Sequence, residues 1–181
     1  AEMHAILGSP RADESLRDTL AFQCQARHRL DCADRAVTWL ASVDMARPQL
    51  ALLLQRYEVL LRQPHFIETP EPDLDTPWPP FGPIVALGRL RLAKSFQSDS
   101  TPMFLQKASQ ELAFWRTTLR EGERLGTKMV ALAAMRNAHD LLSALMRARD
   151  LTGEELEALR GFVRPFTPEE RNIGDAFVSQ A

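Results

Sequence analysis

Glycine is scarce in this 181-residue chain, at eight residues, and no glycine-rich loop is present to cradle a phosphate. No segment alternates β-branched with polar residues, so there is nowhere convincing to place a strand. No apolar run approaches the ~20 residues that span a bilayer as a helix. Lysine is nearly absent: Lys94, Lys107 and Lys128 are the only three, and every other basic residue is arginine. With abundant Ala and Leu, that bias reads as GC-rich coding rather than as a binding adaptation. The net charge of −2, with both signs mixed along the chain, leaves no footprint for nucleic acid.

Cysteine is limited to Cys24 and Cys32. On one continuous helix they would be separated by ~12 Å of rise, beyond the roughly 7 Å between Cα atoms that a disulfide tolerates. The intervening residues 25–31 are polar enough for a turn, which would let a bond staple one helix to the next. Spacing alone leaves a disulfide and two separate thiols equally open.

The groups that carry chemistry are also missing in combination. His4, His28, His65 and His139 are scattered, with no helical pairing that sets two imidazoles on one face, so no metal site is expected. No Gly-x-Ser-x-Gly elbow occurs. His139, Asp140 and Ser143 have the composition of a triad. On a single helix, however, successive residues point about 100° apart, and Asp140 cannot orient His139 while His139 activates Ser143. The carboxylate pairs Glu154/Glu155 and Asp73/Asp75 read as helix capping and a solvated loop. No catalytic residue, metal ligand or cofactor is assigned.

Helical periodicity is what the chain has in quantity. A first helix is predicted over residues 11–26, carrying Leu16 and Leu20. A second, capped by Asp31, carries Val37, Trp39 and Leu40. A third starts at Pro48, suited to a first helical turn, and carries Leu50, Leu53, Leu54, Tyr57, Leu60 and Leu61 before stopping ahead of Pro64. After residue 83 the prediction is a helix to about 97 with Val85, Leu87, Leu90 and Leu92 inward. The next opens at Thr101-Pro102, with the threonine hydroxyl as cap, and presents Phe104, Ala108, Leu112, Trp115 and Leu119. Another runs from 124 to 149 with Leu125, Met129, Leu132, Met135, Leu141, Leu142, Leu145 and Met146. Thr152 and Thr167 each stand three residues before a glutamate, the pattern of a capping box.

Between the helical halves 11–63 and 83–179, residues 64–83 hold seven of the twelve prolines. They also carry Glu68, Glu71, Asp73 and Asp75, with no Lys or Arg. This segment is expected to lie as an extended strap over the helices, with its aromatics docked. Trp78 and Phe81, rigid and flanked by prolines, are candidate anchors for a partner. Arg116 beside Trp115, and Lys128 among apolar neighbours, are expected at the edge of the helix interface. They would lie along apolar surface and pair with Glu111, Glu121 or Glu123, or form a cationic rim for an acidic partner. The fold class is therefore an all-α, single-domain helical bundle of stacked hairpins over residues 1–181, long enough to bury a core.

Several elements recur together: Cys24 to Cys32, Leu53-x-x-x-Tyr57-x-x-Leu60-Leu61, the proline-rich strap, Phe114-Trp115-Arg116-x-x-Leu119, and Leu125-x-x-Lys128-Met129-x-Ala131. In that order they resemble a family of uncharacterised helical envelope proteins from proteobacteria, over residues 20–175. The resemblance implies a periplasm-facing domain behind an N-terminal membrane anchor, a chain continuing past Ala181, and a Cys24–Cys32 disulfide. It brings no activity. The expectation is a non-catalytic module that binds another protein, as an inhibitor or accessory of an envelope or secreted enzyme. The rivals are a carrier of a lipid or other apolar ligand, and a hydrolase with an unrecognised carboxylate site.

Overall fold

The computed structural model describes residues 32–68, 81–147 and 150–172, which form seven α-helices and no strand. In chain order they are α1 (Cys32–Ser42), α2 (Pro48–Leu61), α3 (Phe81–Ser98), α4 (Thr101–Glu121), α5 (Leu125–Arg147), α6 (Gly153–Arg160) and α7 (Pro168–Arg171), with a 3-10 turn at Gly161–Val163. The all-α bundle expected from the periodicity is the fold. The predicted helix over 11–26, Cys24, the capping Asp31 and Trp78 lie outside the described residues. So does the side chain of Cys32, and with it the Cys24–Cys32 pairing.

α3 is the axis. It packs against α1, α2, α4 and α5, and buried residues surround it on every side, from Phe81 and Ile84 through Leu87, Leu90 and Leu92 to Ser95. A helix buried on all sides along its middle turns belongs in a core. The two predicted halves therefore share one hydrophobic core, since α1 and α2 precede the strap and α3 to α5 follow it. Phe81 is the first residue of α3 and is buried in this core rather than standing in the strap as an exposed anchor. The helix begins two residues earlier than predicted because Phe81 has apolar surface to cover and Pro83 is tolerated in a first turn.

A two-residue turn, Asp99-Ser100, reverses the chain into α4. Ser100, not Thr101, holds the N-cap position, and its side chain makes no capping bond. Asp99 secures the turn instead, accepting from Ser95 Oγ at 2.5 Å and Lys107 Nζ at 2.8 Å. Those two bonds hold its carboxyl below the usual range. Phe96 and Phe104 meet edge-on across the same turn, with ring centroids 5.9 Å apart.

α4 and α5 form the most extensive helix pair. The α4 stripe is as predicted, with Phe104, Ala108, Leu112, Trp115 and Leu119 all buried. On α5 the prediction holds for Met135, Leu141 and Leu142 and fails for the first half of the helix. Met129 and Leu132 are 61% and 40% exposed, while Thr127, Lys128, Ala131, Ala134 and Ala138 face inward with Met135, Leu141 and Leu142. Small residues let α5 approach α4 closely, and the bulky pair that dominates the sequence pattern is left on the outer face. Ala131→Leu is accordingly expected to destabilise by ~1–3 kcal/mol through overpacking. Leu132→Ala, on the outer face, should shift the urea midpoint by no more than about 0.5 kcal/mol equivalent.

Candidate functional site

The centre of the bundle contains a polar cluster built around Glu111 of α4, which is 2% exposed. One of its oxygens, Oε1, accepts from the Tyr57 hydroxyl of α2 and from Trp115 Nε1 at 3.0 Å. The i, i+4 spacing on α4 brings the Trp115 indole back over the glutamate. The approach from α3 requires Gly88: a Cβ there would stand 2.7 Å from the Tyr57 hydroxyl oxygen and closer still to Glu111 Oε1. The other oxygen, Oε2, has no hydrogen-bond partner among the described residues. Arg91 Nη1 lies 3.8 Å from it, near enough for electrostatic attraction and too far for a hydrogen bond.

Arg91 is itself buried and already occupied. Its Nε and Nη2 grip Glu58 of α2 at 2.6 and 3.2 Å, Nη2 also reaches Gln110 Oε1 at 2.7 Å, and Nη1 donates to the Lys107 carbonyl at 2.8 Å. Burial raises the Glu111 pKa above its ordinary value, against the lowering effect of its two hydrogen bonds and Arg91. Burial, and then the neighbouring Glu111, push Tyr57 well up. A small cavity of about 10 Å³ adjoins the cluster, walled by Gly88, Arg89, Glu111, Trp115 and the Ala134–Leu141 face of α5. That is the room of about one water molecule. The cluster is buried, and its bonds join α2, α3 and α4.

The two cations singled out in the sequence are buried as well. Arg116 donates to Glu170 of α7 at 2.9 Å and to the Arg164 carbonyl at 2.6 Å, with its guanidinium 5.0 Å from the centre of the Phe166 ring. Glu170 simultaneously closes the Thr167 capping box by accepting from Thr167 N at 2.8 Å. Lys128 Nζ donates to the Leu119 carbonyl at 2.9 Å, satisfying a carbonyl in the last turn of α4. Neither forms a rim, and neither has Glu111, Glu121 or Glu123 as its principal partner. Together with the core residue Phe81, they remove every described member of the predicted partner-binding set from the surface. His139 is held by the Phe162 carbonyl at 3.0 Å, and Ser143 is exposed, so the three triad-like residues are not assembled.

The start of the strap does dock, through its backbone and its acid. Phe66 N donates to Glu121 at 2.7 Å. The Glu68 carboxylate receives the amides of Glu123 and Arg124 and the Thr127 hydroxyl at the opening of α5, where a helix terminus offers unpaired N–H groups and favours negative charge. Among the described residues no three His, Cys, Asp or Glu side chains gather as a metal site, and no helix is long and apolar enough to cross a membrane.

Among the described residues, a groove of about 340 Å³ is open between the first half of α4 and α6. Leu105, Ala158 and Phe162 give it an apolar floor, while Gln106, Ser109, Glu154 and Glu155 edge it. Glu155 also serves the Thr152 capping box; Glu154 stands exposed. Among the described residues no Lys or Arg lines this groove. Comparison of the chain with protein-family models, curated proteins and solved structures finds no match.

Sequence reasoning took Glu111 only as a partner for Arg116 or Lys128 and missed Gly88, although both left a signal. Glu111 stands three residues after Ala108 and four before Trp115, on the buried stripe, and Gly88 interrupts a helix where no cap is needed. Gly88→Ala gains up to ~1 kcal/mol of helix propensity yet is expected to lower the melting temperature. The new methyl meets two side-chain ends that are buried and bonded to each other. An unchanged or raised melting temperature would show that Glu111 and Tyr57 can move apart freely.

Proposed function

We propose that this protein is a non-catalytic binding module whose groove between α4 and α6 takes a segment of another protein, one that pairs an apolar side chain with a Lys or Arg. The open groove carries this reading. Its volume suits a few side chains, its floor is apolar, and the charges among its described lining residues are the carboxylates of Glu154 and Glu155, complementary to a cation. The buried carboxylates of Glu111 and Glu170 are bonded to residues of neighbouring elements, which weighs against the hydrolase reading. The apolar floor also favours a second reading, a carrier of a lipid or other apolar ligand. A co-purifying small molecule in the native mass spectrum would support the carrier.

The periplasmic face of the envelope is the compartment this reading assigns, on the strength of the family resemblance and the cysteine pair. An accessory or inhibitor of an envelope enzyme fits there. In an oxidising compartment Cys24 and Cys32 bond to each other, and intact mass then rises by about two daltons on reduction. Two thiols that alkylate without reductant would remove this support.

Two synthetic amphipathic peptides test the groove, alike in a leucine stripe and differing only in arginine or glutamate flanks. Amide shifts on α4 and α6 are expected with the arginine peptide. Ala158→Trp, which fills the floor, should abolish them, and Glu154→Lys should weaken binding of the arginine peptide about tenfold while leaving helicity unchanged, a loss within the range of a truncated charge contact. Equal response to both peptides, or none, contradicts the proposal.

A further inference from the structure

The arrangement of bonds on Glu111 carries a consequence for its protonation. An ionised carboxylate spreads its charge over two equivalent oxygens and accepts at both. Buried, it is costly unless both are served. On Glu111 both donors, from Tyr57 and Trp115, converge on Oε1, and Oε2 receives no hydrogen bond among the described residues. That asymmetry is the pattern of a carboxylic acid, whose carbonyl oxygen accepts twice and whose hydroxyl donates.

Charge counting points the same way. From α2, Tyr57 and Glu58 face the cluster; from α3, Arg91 does so and Arg89 reaches the wall of the adjoining cavity; from α4 come Trp115, Gln110 and the Lys107 carbonyl. α5 adds to that cavity only Ala134, Asn137, Ala138 and Leu141, none of which titrates. Arg91 spends its fork on Glu58 in two hydrogen bonds and stands 3.8 Å from Glu111. The triplet of Glu58, Arg91 and Glu111 is therefore neutral if Glu111 keeps a proton, and carries a buried negative charge if it does not. Arg89, whose charged form burial disfavours, is the remaining cation that would favour ionisation.

We propose that Glu111 is a neutral carboxylic acid in the folded protein, with Oε1 as its carbonyl and Oε2 as its hydroxyl, and that ionising it weakens the helix junction built around it. The small cavity supplies room for a water to accept a hydrogen bond from that hydroxyl. The direction of the pH effect follows. Because burial raises the folded pKa of Glu111, its contribution to stability is full below the ordinary glutamate range and is lost as pH rises through the folded pKa. Asp99 and Glu121, held low by hydrogen bonds, act oppositely: their stabilisation is lost on acidification. The protein thus senses pH on its upper side through one buried group.

Glu111→Gln keeps the carbonyl acceptor for Tyr57 and Trp115 and cannot ionise. Denaturant unfolding of both proteins between about pH 5 and 9 separates their responses. The wild-type folding equilibrium is expected to fall by up to about tenfold per pH unit until the folded acid has ionised. The variant should lose that segment of the curve and exceed the wild type at the upper end. Infrared spectra of the wild type provide an independent reading, needed if the variant does not fold. A carboxylic-acid C=O band should persist at about pH 6, where exposed carboxyls have ionised. Parallel stability curves, or no such band, would overturn the proposal.

Discussion

The bundle depends on one close approach: the gap that Gly88 leaves on α3, into which Glu111 and Tyr57 fit. A side chain on residue 88 would occupy that space, and without it α2 could not hand its tyrosine to α4 across the central helix. The same neighbourhood binds Glu58 to Arg91 and Arg91 to the α4 backbone. Three helices are thereby fixed in register by polar bonds inside an apolar core. Such networks specify one arrangement because each unsatisfied member is expensive once buried. Hydrophobic burial supplies the bulk of the stability, and the cluster selects which packing receives it.

The remaining buried charges serve attachment. Arg116 holds the segment after α6 by collecting a carbonyl, a carboxylate and an aromatic face at once. Glu68 fastens the start of the strap to the opening of α5, and Lys128 closes the end of α4. At each of these places a charge-assisted bond holds a turn or helix end in position. With its strongest polar groups directed inward, the described surface offers a concave apolar strip edged by acids, and that contrast underlies the binding role proposed above.

Much of this architecture is legible in the sequence wherever large apolar residues recur at helical spacing. The Pro48–Leu61 helix, the Phe104-to-Leu119 stripe and both threonine capping boxes follow from local rules that tertiary packing did not override. The first half of α5 misleads because its inner face is made of alanines, a threonine and a lysine, while Met129 and Leu132 point outward. A periodicity search weighted by side-chain size selects the wrong face. Arg116 and Lys128 are legible as neighbours of buried residues, but their partners come from Glu170 and a helix-end carbonyl that no spacing rule connects to them. Glu111 is the instructive case, since a carboxylate on a buried stripe is visible in one dimension while its tyrosine, 54 residues earlier, is not.

Native-state hydrogen exchange addresses the central claim, that α3 is an axis clamped by the Glu111 cluster. Amides of α3 around Gly88 and of α4 around Glu111 should exchange only through global unfolding, with the same denaturant dependence as the whole protein. α6 and α7, attached at the edge, should open locally and exchange sooner. Exchange of the α3 amides through local openings as easy as those of α6 would contradict the account, because the helix at the centre would then not be what holds the others in place.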